Sequence, residues 1–268
     1  MKTLGIIAGF GRLPVEVAKA ARDSGSRVVA VGVLETVDPE LKTAADTYYA
    51  VNIGLLNTII DTLKQEQVSE VIFIGKVNKE LLFQGIKMDS KMQAVLSTLP
   101  DQNDDTLMMA FVREFLAAGI KVLDQTIYIK SLVPQEGVIT TRQPQAAEWL
   151  DIKFGFTMAK EIGRLDIGQT VIIKDRAVVA VEAIEGTDAA IKRGGQLAKG
   201  GAVVVKTAKP QQDLRFDMPG IGPNTLQSMI DAGATVLAIE AGKTLLVDRE
   251  QVIKLADANG ITIVVVSG

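Results

Sequence analysis

The chain has 268 residues, 47% hydrophobic and 23% charged, which excludes a disordered chain and leaves room for one large domain or two of ordinary size. A net charge of −3 lacks the basic excess of a nucleic-acid-binding protein. Having no cysteine and no histidine, the chain can form no disulfide or thiolate metal site, and its chemistry lacks the usual proton shuttle.

The start, MKTLGIIAGFG, lacks the longer apolar run and small-residue cleavage site of a secretory signal. No segment reaches the roughly 20 apolar residues of a membrane helix. A cytoplasmic protein is expected. Along residues 1–124, short continuous apolar runs at 4–9, 28–33, 71–75 and 120–123 read as buried parallel strands. Helical spacing lies between them: Pro14, Val17, Ala18 and Ala21; Leu56, Ile59, Ile60 and Leu63; Met92, Val95, Leu96 and Leu99; Met108, Phe111, Val112 and Phe115. Gly25 and Gly119 stand where helices should stop.

The polar stretch 131–144 (SLVPQEGVITTRQP) suits a linker. Beyond it come a helix at 146–163, a hairpin of 170–174 and 177–184 turning at Asp175-Arg176, and a short helix after Thr187. Strand 202–206, helix 223–232, strands 235–239 and 244–247, helix 249–258 and strand 261–266 close the chain. The expected fold class is α/β: an N-terminal Rossmann-like, doubly wound domain over 1–132, a linker at 133–145, and a second α/β domain with a mixed sheet over 146–268, with a ligand cleft between them.

In GIIAGFGRLP, Gly9, Gly11 and Pro14 occupy the three glycine positions of a dinucleotide fingerprint. Small residues would let backbone N–H groups approach an anion at the start of a helix. Pro14 departs from that fingerprint and reads as a first-turn proline. Glu35 could serve as the ribose acid of a nicotinamide site. Phosphate contact, a dinucleotide site and a structural tight turn all remain open on these residues.

The stretch DLRFDMPGIG (213–222) joins Asp213, Arg215 and Asp217 before Pro219 and two glycines. Without histidine, water must be activated by a carboxylate, a lysine or a bound metal. Mg2+ takes one or two carboxylates and completes its shell with phosphate oxygens. Asp213 and Asp217 are the right type for it, and Lys206 and Arg215 could neutralise phosphate charge. Asn224 and Thr225 follow Pro223 at another helix start. A solvated loop with an internal Asp–Arg pair reads equally well. In EGTD (185–188), Thr187 or Asp188 reads as a helix cap on physics alone, with Asp188 alternatively a second metal or ribose contact. Gly75 and Lys76 end a strand at the ligand-binding edge, though a Gly-Lys pair is also a commonplace strand end, and Asp104-Asp105 reads as a cap or a ligand contact. Trp149 and the phenylalanines read as core.

Together, GIIAGFGRLP, IGKV (74–77), DDTLM (104–108), EGVIT (136–140), GRLDIGQTVIIKD (163–175), AVEAIEGTDA (180–189), VVVKTAKPQQDLRFDMPGIG (203–222) and EAGKTLLVDRE (240–250) resemble the LpxI-type UDP-2,3-diacylglucosamine diphosphatase family of lipid A biosynthesis over nearly the whole chain. The resemblance implies an Mg2+-dependent hydrolase that yields UMP and 2,3-diacylglucosamine 1-phosphate, acting as a homodimer of two-domain chains. Its RxDxPxIG motif places the catalytic aspartate on Asp217; Asp213 and Asp188 stay, by residue type, further candidates for metal or ribose contact. Substrate contacts are expected from Gly9, Phe10, Gly11, Leu13 and Pro14 in the first loop. Others are expected from Gly75, Lys76 and Asp105, and from Thr187, Lys206, Arg215, Asn224 and Thr225. Phe10 stands where the family often has another glycine. Transient contact with the inner-membrane surface and no nucleic-acid partner complete the expectation. An NAD(P)-dependent oxidoreductase and a non-catalytic nucleotide-sugar-binding protein are the competing readings.

Overall fold

A computed structural model describes residues 2–77, 86–101, 104–213 and 215–267. The chain divides into two compact units. Unit 1 comprises Met1–Lys130 with Asp213–Asp217, and unit 2 comprises Ser131–Gln212 with Met218–Gly268.

Unit 1 carries a parallel sheet of β1 (Thr3–Ala8), β2 (Arg27–Gly32), β3 (Thr47–Ala50), β4 (Glu70–Ile74) and β5 (Lys121–Val122), in the order β3-β2-β1-β4-β5. Order reverses at β1/β4, the switch point where open α/β sheets place ligands beyond their strand ends. Its helices include α1 (Leu13–Asp23), α2 (Leu41–Ala44), α3 (Leu56–Gln65), α4 (Ser90–Ser97) and α5 (Asp104–Ala117). The apolar stripes read from the sequence are the buried faces: Val17, Ala18 and Ala21 on α1, and Leu56, Ile59, Ile60 and Leu63 on α3. Gly25 and Gly119 both stop helices at φ +81°, a conformation that favours glycine. Strand β3 was not expected, because TYYA is a half-buried edge strand rather than a continuous buried run.

Unit 2 is built from β6 (Gly137–Val138), α6 (Ala146–Arg164), β7 (Thr170–Lys174), β8 (Ala177–Val181), α7 (Thr187–Ala198) and β9 (Val203–Lys206). β10 (Gly220–Ile221), α8 (Pro223–Ala232), β11 (Val236–Glu240), β12 (Leu245–Leu246), α9 (Arg249–Ala258) and β13 (Thr262–Val266) complete it. Its mixed sheet runs β6-β13-β11-β9-β7-β8, and β10 pairs separately with β12. Side-chain alternation splits the core across the sheet. Val203 and Val205 pack with Ile152 and Ala159 of α6. Val204 and Ile172 pack with residues of α7, α8 and α9.

The β7–β8 turn at Asp175-Arg176 has φ 51° and 60°, the left-handed pair of a two-residue hairpin. The polar stretch 131–144 contributes β6, which pairs antiparallel with β13. Within that stretch, Arg142 bonds Thr262 Oγ1 and Glu148 Oε1, each at 2.7 Å. Trp149 is 42% exposed and Phe10 58%, contrary to the expectation of core aromatics; Phe73 and Phe115 do pack in the core, edge to face at 4.9 Å. Trp149 lies in the first turn of α6, ahead of the buried stripe that begins at Asp151 and Ile152.

Candidate functional site

At the unit 1 switch point, the loops after β1 and β4 are stitched together. Gly9 N donates to Ile74 O at 2.9 Å, and Phe10 and Lys76 exchange both backbone bonds at 2.8 Å. The N–H groups of Gly9 and Phe10 are therefore spent within the sheet. A Cβ on Gly9 would lie 2.7 Å from Lys76 O, and Gly75 meets Gly9 in return at φ +95°. Close approach of the two loops accounts for these glycines. Gly11, at φ +108°, has open space where a Cβ would be, as far as the described residues go.

Helix α1 follows, with Leu13 and the buried Pro14 in its first turn and Arg12 at its N-cap. No motif in the sequence marks Arg12. It binds Glu16, Asp38 and Glu40, and its hydrogen bond, then that of Lys19, holds the Glu40 carboxyl down at about 2. Lys76 is exposed. Asp105 is the second residue of α5, and its side chain lies outside the described residues.

Asp213–Asp217 also belongs to unit 1. Phe216 packs on that unit's core, and Arg215 Nη2 lies 3.2 Å from Met109 Sδ. Arg215 Nε reaches Asp213 Oδ1 at 2.9 Å and Oδ2 at 3.1 Å. The guanidinium's hydrogen bond, against the opposing effect of burial, keeps the Asp213 carboxyl below its ordinary value and raises Arg215 in turn. Asp213 O accepts the N–H of Phe216 at 3.2 Å and of Asp217 at 3.0 Å. This tight turn fixes the backbone from which the half-buried Asp217 projects.

In unit 2, Lys206 ends β9 and is only 6% exposed. Its Nζ donates to Thr187 Oγ1 at 3.0 Å and to Gly220 O at 3.2 Å. Thr187 and Lys206, both expected in the site, are thus brought together. The expected cap at 187–188 is not formed. Gly186, at φ +82°, takes the N-cap position of α7 with no side-chain cap bond, which frees the Thr187 hydroxyl for Glu182 Oε1 at 2.7 Å. Asn224 is exposed and Thr225 buried in the first turn of α8, again without a side-chain cap.

Beside this cluster, Glu240 Oε2 accepts Ala208 N at 2.8 Å and Lys160 Nζ at 2.6 Å. Burial pushes the Glu240 carboxyl up, but Lys160, the Ala208 N–H and Lys243 outweigh it and leave the group below its ordinary value.

Mg2+ would need carboxylate oxygens that are free to bind it. Asp188 Oδ1 is buried with no hydrogen-bond partner among the described residues, a carboxylate oxygen of the kind such a cation takes. Asp213, by contrast, already spends both oxygens on Arg215. Asp188 lies in unit 2 while Asp213 and Asp217 lie in unit 1. No group of three acidic side chains is gathered for a metal among the described residues. One carboxylate with phosphate oxygens can hold Mg2+, and Asp188 in unit 2 is of that kind.

The fold and its groups define an α/β protein with basic and acidic side chains at the carboxyl ends of its strands, where such sheets meet ligands. Residues 3–132 match the LpxI N-terminal domain and residues 135–264 the LpxI C-terminal domain. This chain belongs to the LpxI family. A curated relative, UDP-2,3-diacylglucosamine pyrophosphatase LpxI of Caulobacter vibrioides, is 33% identical over 274 residues, 97% of this chain and 96% of the relative.

Among solved structures, N5-carboxyaminoimidazole ribonucleotide synthetase from Thermotoga maritima is 17% identical with a TM-score of 0.24, over 69% of this chain and 42% of that one. The biotin carboxylase domain of a thermophilic 2-oxoglutarate carboxylase bound to ADP is 15% identical with a TM-score of 0.29, over 64% and 35%. This chain thus spans less than half of either structure, and likeness at that level defines neither fold nor function.

Proposed function

We propose that this protein hydrolyses the diphosphate of UDP-2,3-diacylglucosamine to UMP and 2,3-diacylglucosamine 1-phosphate in lipid A synthesis, with Mg2+. The observation that carries this reading is the match to a pyrophosphatase along 97% of the chain, covering both units. The chemistry agrees with the residues. Hydrolysis of a phosphoanhydride depends on positioning and charge neutralisation, which a chain without histidine or cysteine can supply.

In unit 1, Asp217 is the catalytic carboxylate, orienting water or holding the cation, and Arg215 stabilises phosphate charge. Lys76, Phe10, Gly11, Leu13 and Pro14 at the switch point contact substrate. In unit 2, Lys206 offsets diphosphate charge from a position fixed by Thr187 and Gly220 O, and Asp188 Oδ1 is a cation ligand. Asn224 and Thr225 offer the helix start of α8 to an anion. Bound Mg2+ would polarise the phosphoryl oxygens and lower the pKa of bound water.

Among the described residues no helix is long and apolar enough to cross a membrane. In the same reading the protein is a cytoplasmic homodimer that touches the membrane surface to take up an acylated substrate. Sedimentation with and without lipid vesicles tests both points. The reaction itself is tested by 31P NMR of the products from UDP-2,3-diacylglucosamine with Mg2+ and with EDTA. UMP and the sugar 1-phosphate should form only with the metal. NADH binding without hydrolysis would favour the oxidoreductase instead.

A further inference from the structure

Glu182, the residue after β8, is 8% exposed, a rare degree of burial for a carboxylate. Its backbone is fixed by its N–H, which donates to Thr170 O at 2.9 Å. Gly168 makes room for it, since a Cβ there would lie 2.1 Å from Glu182 O. Of its two carboxylate oxygens, Oε1 accepts the Thr187 hydroxyl at 2.7 Å. Oε2 is buried and has no hydrogen-bond partner among the described residues. Burying a carboxylate with one oxygen unpaired is destabilising, so stability alone does not account for this residue.

A threonine hydroxyl has one proton. With that proton committed to Glu182, Thr187 can offer only lone pairs to its other neighbours. Lys206 Nζ uses one of them at 3.0 Å, and Gly220 O sets a second direction at 3.2 Å. The sequence Glu182, Thr187, Lys206 is therefore an ordered relay within unit 2, joining β8, α7 and β9. With its proton turned toward Lys206 instead, the hydroxyl would meet the ammonium donor to donor.

We propose that Glu182 is a positioning residue for the diphosphatase reaction proposed above: it fixes the proton of Thr187 and, through it, the ammonium of Lys206. The inference rests on that reaction. An ammonium displaced by an ångström can cost about 100-fold in rate. The loss should fall on kcat, with KM held within about threefold, because the charge develops in the transition state.

The test compares E182A, E182Q, T187V and E182A/T187V in UMP release. E182A and T187V should each lose about 100-fold in kcat, and the double variant should lose no more than either. E182Q keeps an oxygen acceptor for Thr187 and should recover at least about tenfold of the E182A loss. Losses that multiply in the double variant, or E182Q no better than E182A, would overturn the relay. So would loss of Mn2+ binding in E182Q, followed by electron paramagnetic resonance, since Glu182 would then be a metal ligand.

A second arm needs no activity. Lysine-selective 1H–15N NMR should show a protected ammonium signal that K206M removes. It should persist in E182Q and vanish in E182A and in T187V. If E182A does not fold by circular dichroism, T187V carries the same comparison. Wild-type protein that fails to hydrolyse the substrate would overturn the diphosphatase reading while the NMR still decides the relay. A protected signal retained in E182A and T187V would sink the relay while leaving the reaction standing.

Discussion

Arg215 Nε lies 2.9 and 3.1 Å from the two carboxylate oxygens of Asp213, two positions earlier in the chain. The pair closes the turn that carries Phe216 into the unit 1 core and sets the backbone of Asp217. Lysine cannot reproduce a fork of this kind. R215K and D213N should each lower UMP release about 10- to 100-fold, the worth of one charge-assisted contact. Steady-state assays of the two variants check this, and undiminished rates would leave the fork without a role.

The same pair has a signature in pH. Arg215 lowers the folded-state pKa of Asp213, so the stability it lends is present above the ordinary Asp value of about 3.9 and fades as pH falls through the lower folded value. D213N should therefore flatten the acid limb of stability below about pH 4. Urea denaturation from pH 6 to pH 2 measures it. An acid limb identical to wild type would mean the pair contributes nothing.

Gly9→Ala places a methyl 2.7 Å from Lys76 O and 2.8 Å from Gly75 C, backbone atoms that cannot swing aside. About 2–3 kcal/mol of stability should be lost, as in overpacked cores. Gly11→Ala meets nothing within 4 Å among the described residues but sits at φ +108°, so its loss is backbone strain of about 1–3 kcal/mol. Adding a longer, unbranched residue separates the two: Gly9→Met should be worse than Gly9→Ala, while Gly11→Met, with no branch at Cβ, should add little to Gly11→Ala. Equal behaviour at both sites would contradict the close packing of the two loops.

Glu240 is 3% exposed and bonds Lys160 Nζ through both oxygens, at 2.7 and 2.6 Å. E240A leaves a half-buried ammonium and the Ala208 N–H without this partner, and should destabilise by about 3 kcal/mol. Its folded pKa is lowered, so this stability is full above the unfolded Glu value of about 4.3 and declines as pH drops below it. Thermal melts of E240A and wild type should therefore converge toward pH 3. A constant gap in melting temperature across pH would show that packing, not charge, holds this corner.

Much of the fold was legible because buried parallel strands such as VVAVG (28–32) are unbroken apolar runs and the helices between them keep one apolar stripe. Asp175-Arg176 was legible as a turn because two β-rich runs stand two residues apart. Strand β3 was not, because TYYA is half-buried and too short for either period. The place of residues 213–217 in unit 1 was hidden too, since it rests on Phe216 meeting a core built from Val29 to Val122, far back in the chain. Thr187 was misread as a cap because nothing local says that Gly186 will take the cap position at φ +82°. Glu182 was missed altogether. Its signal was an acid that ends an apolar run, AVVAVE, just ahead of EGTD.

The most direct measurement is single-turnover release of UMP from UDP-2,3-diacylglucosamine by wild type and Asp217→Ala, both saturated with Mg2+. Wild type should release UMP rapidly and the variant should lose at least about 1,000-fold, the scale of a lost electrostatic or general-base group, with the fold unchanged by circular dichroism. Release by Asp217→Ala at near the wild-type rate would contradict it.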